Sequence, residues 1–203
     1  MFHLIFPGQG SQQPGMGRFL YDQFPIAKEC FQEASEAIKV DLKKLCFDGS
    51  ESDLTLTHNT QPCLLTVSTA TQRVLRQQYN LKISAASGHS IGEYAALVAA
   101  NVLPFATAVR AVRLRGEAMQ SAVPVGKGGM AAVMGLNDDQ AKQLCQFVVS
   151  KSGFSPLSPA NFNCPGQIVI SGSQKALDWM KTNLKAEEVF PDVKRLKIIH
   201  LQV

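Results

Sequence analysis

The chain has 203 residues, 45% of them hydrophobic and 18% charged, with a net charge of +4 from 20 basic and 16 acidic residues. That is ordinary globular usage, enough for one large domain or two small ones, and it sets aside disordered and fibrous classes. No basic block or aromatic–basic interleaving points to nucleic acid, and no stretch approaches the roughly 18 apolar residues of a membrane span.

The five cysteines show no CxxC spacing and read as reduced thiols of a cytoplasmic protein. The apolar start MFHLIF stops at Pro7 and lacks the basic leader and long core of a signal peptide. The mild positive balance suits acidic partners.

FHLIF predicts a buried first strand, closed by PGQGSQQPGMG, a loop too rich in glycine and proline for a helix or central strand. Helices are expected at roughly 18 to 40 and at 61 to 79, the second with Leu64, Leu65, Val67, Val74 and Leu75 near one face. LKISAAS, 81 to 87, predicts a buried strand, followed by helices at about 91 to 100 and 105 to 121. Strands and helices in this order indicate an α/β layered domain.

Composition shifts at VPVGKGG, 123 to 129, which reads as a hinge. Beyond it come a strand in GMAAVMGL, a helix DDQAKQLCQFVV capped by Asn137, and strands SPANFN and QIVISG about a Pro165-Gly166 turn. A helix SQKALDWMKTNL and a strand within VKRLKIIHLQV complete a β-α-β-β-α-β order, the split pattern of a ferredoxin-like unit. The expected division is therefore 1–124 and 125–203.

Gly88-His89-Ser90-Ile91-Gly92 matches G-x-S-x-G, with a predicted strand before it and a helix after it. A serine in that turn is strained, and its hydroxyl stands at a helix head whose backbone N–H groups favour negative charge. The N–H of Ile91 could then meet the oxyanion formed when Ser90 attacks a carbonyl. By itself the pattern fits a glycine-flanked N-cap serine equally well.

FPGQGSQ, GHSIGEYAAL, RLRG at 113 to 116, GGMAAVMGL and NFNCPGQIVISG occur in this order, with THNTQPCLLTVSTA ahead of the serine strand. Together they closely resemble the malonyl-CoA:acyl-carrier-protein transacylase family, over essentially the whole chain. The resemblance implies an α/β fold: an α/β-hydrolase-like large subdomain, incomplete here, with an inserted ferredoxin-like small one.

It also implies roles. Ser90 matches the acylated nucleophile, and Gln9 the second oxyanion donor alongside Ile91. Arg115 matches the guanidinium that clamps the malonyl carboxylate, whereas Arg110 and Arg113 cannot all share that task. Asn161 and Asn163 match residues at the mouth of the site, and His89 a supporting position behind the serine. Cys164 stands where the family has a small residue and reads as a substitution without function.

The implied activity transfers malonyl from malonyl-CoA to the phosphopantetheine thiol of an acyl carrier protein, in fatty acid synthesis, with no metal or redox cofactor. The implied base is a histidine in an S-x-P-x-H motif, about five residues past Val203, so a truncated chain is expected. His200 lies in the strand before that position, and His3 and His58 lack supporting context. Three alternatives stay open: a polyketide-pathway acyltransferase, an inactive remnant lacking its base, and a general serine hydrolase.

Overall fold

Pro25 decides how the first helical stretch folds. The residue before a proline is driven out of the helical region, and Phe24 is extended, with φ −127° and ψ 118°. The expected helix over 18 to 40 is therefore two, α1 at Arg18–Gln23 and α2 at Pro25–Ile38, with Pro25 in the first turn, where its missing N–H costs nothing. The structure is a computed structural model that describes residues 1–123, 126–193 and 196–201.

Two short helices not expected from the sequence follow: α3 at Leu42–Asp48, capped by Asp41, and α4 at Glu51–Thr55, capped by Ser50. Helix α5 starts earlier than expected and spans Thr57–Tyr79 with Pro62 inside it. A proline at that position cannot donate to the carbonyl four residues back. That carbonyl, His58 O, accepts instead from Arg113 Nη1 at 3.1 Å. A side chain from elsewhere in the fold thus makes the proline tolerable.

The chain divides into units Met1–Ala122 and Val123–Val203. The boundary expected between residues 124 and 125 lies outside the described residues, as do the outer residues Lys194, Arg195, Gln202 and Val203 of the expected last strand.

In the first unit, β1 at Phe2–Phe6 and β2 at Ile83–Gly88 pair in parallel, with Phe6 opposite Gly88. Helix α6, Ile91–Ala99, follows β2 directly, and α7 spans Phe105–Ala122. Helix α5 is the core pillar: Leu64, Leu65 and Val74 pack with Phe31 of α2, Ile91 and Ala95 of α6, and Val109 and Val112 of α7. Each fully buried side chain of this size contributes roughly 1.5–3 kcal/mol. Two of the threonines that α5 buries turn inward to carbonyls, Thr60 Oγ1 to Leu54 O at 2.6 Å and Thr66 Oγ1 to Pro62 O at 2.7 Å.

Neither strand of this unit is buried as expected. Phe2 is 54% and Ile5 78% exposed, while Leu4, Phe6 and Ala86 meet the core. Side chains alternate along a strand, and helices of this unit cover one face of the pair only.

In the second unit, β3 at Gly128–Met134, β4 at Leu157–Cys164, β5 at Gln167–Ser173 and β6 at Lys197–Leu201 form an antiparallel sheet in the order β4-β5-β3-β6. Helices α8 at Asp138–Ser152 and α9 at Gln174–Asn183 supply Leu144, Val148, Leu177 and Met180 against Ala131, Val133 and Ile170. A short α10 at Ala186–Val189 is an addition to the expected elements. This is the ferredoxin-like arrangement, and the fold of the chain is α/β, an α/β-hydrolase-like layer followed by that unit. Among the described residues no helix is long and apolar enough to cross a membrane.

Candidate functional site

The turn from β2 into α6 is built by sterics. A Cβ on Gly88 would run into the backbone of Gly92 and Glu93, and one on Gly92 into the carbonyl oxygen of Phe6. Both positions therefore exclude every other side chain, and the chain doubles back within five residues. Between them Ser90 takes φ 53° and ψ −110°, a left-handed conformation that costs on the order of 1–3 kcal/mol for a residue with a Cβ.

Ser90 occupies the N-cap position of α6 yet makes no side-chain capping bond. Its Oγ instead accepts from Arg115 Nη2 at 3.0 Å. Ile91 is the first residue of the helix, so its N–H has no intrahelical partner. The N–H groups of Gly92 and Glu93 turn back to His89 O at 2.9 Å and Ser90 O at 3.1 Å. The exposed hydroxyl thus stands at the positive end of a helix, beside a guanidinium.

The loop after β1 comes to the same place. His89 N donates to Phe6 O at 3.2 Å, and a Cβ on Gly8 would lie 2.5 Å from His89 Nδ1. The His89 ring therefore lies against Gly8. Gln9, the next residue, is half-buried, and its Nε2 donates to Thr57 Oγ1 at 3.3 Å. Its side chain is tied to the start of α5, which leaves its backbone as the part that can face a ligand. Ser11 Oγ to Gly8 O at 2.8 Å and Gly10 N to Gln12 Oε1 at 2.7 Å brace the loop from within.

The three arginines of α7 separate by what they touch. Arg110 reaches Thr107 of its own helix at 3.2 Å. Arg113 pairs with Glu117 at 2.6 Å and donates to His58 O and to Asn59 Oδ1 at 3.0 Å, tying α7 to the start of α5. Arg115 alone of the three meets Ser90.

The start of α5 is the part of this region that sequence reading passed over. Thr57 receives Gln9, and His58 lies against α7, close enough that a Cβ on Gly116 would sit 2.5 Å from His58 Cα. Burial and the nearby Arg113 charge push the His58 pKa below its usual 6.5. The available signal was the segment THNTQP, noted for its resemblance but not for its side chains.

Gln9, His89, Ser90, Ile91 and Arg115 thus come together within the first unit. Asn161 and Asn163 belong to the second, both exposed on β4. Asn161 is in register with Val169, and Asn163 Nδ2 donates to Gln167 Oε1 at 3.3 Å. Cys164 is exposed, whereas Cys30, Cys46, Cys63 and Cys145 are buried. Burial raises the Cys30 thiol to about 12 and that of Cys145 to about 11, so both stay protonated and unreactive at neutral pH. Among the described residues no three His, Cys, Asp or Glu side chains gather as a metal site.

A strained serine at a strand-to-helix turn, a helix head and a neighbouring guanidinium can together hold an acyl group that carries a carboxylate. The family model described as "Acyl transferase domain" matches residues 3–198. The malonyl CoA-acyl carrier protein transacylase of Bacillus subtilis strain 168 is 48% identical over 174 residues, 86% of this chain and 54% of that protein. The enzyme of the same name from Escherichia coli K12 is 46% identical over 177 residues, 87% of this chain and 56% of its own.

Among solved structures, the malonyl-CoA:acyl carrier protein transacylase FabD of Xanthomonas oryzae pv. oryzae superposes with a TM-score of 0.85 at 42% identity, covering 99% of this chain and 61% of that one. A type II polyketide acyl carrier protein in complex with its malonyl-transacylase gives a TM-score of 0.83 at 40% identity, covering 100% and 62%. The chain spans about half the length of the curated relatives it matches.

Proposed function

The chain belongs to the acyl transferase domain family, and we propose that it carries the nucleophile of a malonyl-CoA:acyl-carrier-protein transacylase serving fatty acid synthesis. Ser90 Oγ attacks the thioester carbonyl of malonyl-CoA. A C–O bond forms, the C=O electron pair moves onto oxygen, and the oxyanion is met by the backbone N–H groups of Gln9 and Ile91. Each such donor contributes about 3 kcal/mol to the transition state. Collapse breaks the C–S bond, and coenzyme A leaves as the thiol. The phosphopantetheine thiol of an acyl carrier protein then takes malonyl from Ser90 by the same steps reversed.

Arg115 clamps the free carboxylate through its planar fork of donors. The bond from Arg115 Nη2 to Ser90 Oγ carries this reading, because it holds the guanidinium within one acyl length of the nucleophile. Asn161 and Asn163 are assigned to the mouth of the site by family resemblance. The serine proton goes to a histidine, which the resemblance puts past Val203. No metal or redox cofactor takes part, and five free cysteines suit a reducing cytoplasm.

The test is intact-mass and peptide mapping after incubation with labelled malonyl-CoA, with imidazole supplied as a surrogate base. Malonyl on the Ser90 peptide supports the reading; its absence with imidazole present overturns it. A second reading, malonyl loading of a polyketide carrier, is favoured by the likeness to the transacylase solved with such a carrier. Rates of discharge from Ser90 to fatty-acid and polyketide carrier proteins separate the two.

A further inference from the structure

Ser90 stands at the head of α6. At the other end of that helix a cleft of about 550 Å³ lies between α5, the last turn of α6 and the start of α7, and the chemistry above makes no use of it. We propose that this cleft binds a small carboxylate with a short apolar chain.

Gln72 is the first ground. It lines the cleft and is only 7% exposed, yet its side-chain amide makes no hydrogen bond among the described residues. The amide is not among the side-chain atoms shut off from solvent without a partner, so it stays open to whatever enters the cleft.

Arg76 is the second. One turn along α5 from Gln72, it donates from Nη2 to Ala99 O at 2.6 Å, while its Nε is buried without an acceptor. It has no ion-pair partner among the described residues, whereas its neighbour Arg73 is paired with Glu33 at 2.8 Å and stacked 4.8 Å over the Phe105 ring. Two guanidiniums and one carboxylate leave a single positive charge, which matches a singly charged head group. The unbonded N–H groups at the start of the 18-residue α7, on the rim at Phe105, add to that polarity.

The rest of the lining is mixed: Ile26, Val98 and Leu103 with the Phe105 ring form a hydrocarbon wall, beside the polar Gln77 and Asn101. A hydrated ion such as free phosphate would leave that wall unused. A carboxylate on a short alkyl chain satisfies Arg76 and Gln72 and covers the wall.

The test is isothermal titration of the chain with hexanoate, with inorganic phosphate and hexanol as the two partial mimics. Saturable binding of hexanoate, with Arg76→Gln weakening it about tenfold and Gln72→Met by a smaller factor, supports the site. Circular dichroism melts check that each variant folds, and should Arg76→Gln fail, Gln72→Met alone decides. Absent hexanoate binding, equal binding in wild type and Gln72→Met, hexanol binding as tightly as hexanoate, or phosphate as tightly as hexanoate would each overturn it. Ser90→Ala should bind hexanoate as wild type does, which keeps this result separate from the acylation experiment.

Discussion

Three helices of this protein, α6, α8 and α9, follow strands and have a small polar N-cap, and the starts of α6 and α8 are used in opposite ways. At the head of α8, Asn137 is extended, with φ −85° and ψ 175°. It forms a reciprocal capping box: its side chain accepts from Gln140 N, while Gln140 Oε1 accepts from Asn137 N, each at 2.9 Å. At the head of α6, Ser90 is left-handed at φ 53° and caps nothing, and its oxygen is turned to Arg115. The same sequence signal, a polar residue before an apolar helix, serves stability at one site and reactivity at the other. What separates them is the pair of glycines around Ser90, which force the turn and keep the hydroxyl off its own helix.

The sharpest break of this comparison is Ser90→Ala. It should abolish malonyl label in the mapping experiment while moving stability by about 0.5 kcal/mol or less, since no capping bond is lost. Next is Arg115→Ala, which should lower malonyl-CoA reactivity relative to acetyl-CoA by roughly 10–100-fold, the worth of a charge-assisted pair. Competition between the two thioesters reads it, and unchanged selectivity would refute the carboxylate clamp.

Gly92→Ala tests the glycine half. The added methyl meets Phe6 O and should cost roughly 1–3 kcal/mol in urea melts, together with most of the acylation. Asn137→Ala should behave conversely, losing about 1 kcal/mol of stability with labelling of Ser90 retained.

The smallest effect concerns pH. His58 has a folded pKa below 6.5, so below pH 6.5 the unfolded chain binds more protons and stability falls as pH falls. His58→Gln should flatten the slope of stability against pH just below 6.5. An unchanged slope would mean that other groups set it.

How much of this was legible in the sequence follows from the range of the forces involved. The GHSIG turn was legible because its demand is local: two missing side chains and one strained residue specify it within five positions. Asn137 and its helix were legible for the same reason, as was the β-α-β-β-α-β order of the second unit. The caps of α3 and α4, Asp41 and Ser50, were equally local signals that went unread.

Other features are decided only in three dimensions. Pro62 sits inside a helix because Arg113, 51 positions away in the 203-residue sequence, meets the carbonyl that the proline frees. Periodicity cannot foresee that. Nor could helical spacing choose among Arg110, Arg113 and Arg115. All three look alike on α7 until packing against α5 occupies Arg113 and leaves Arg115 facing Ser90. The exposure of Phe2 and Ile5 is likewise invisible in FHLIF, because an apolar strand says that it can be buried and not which of its faces is covered. Local sterics and capping are written residue by residue. The partner of a buried donor or a charged side chain is set by which segments the hydrophobic core brings side by side.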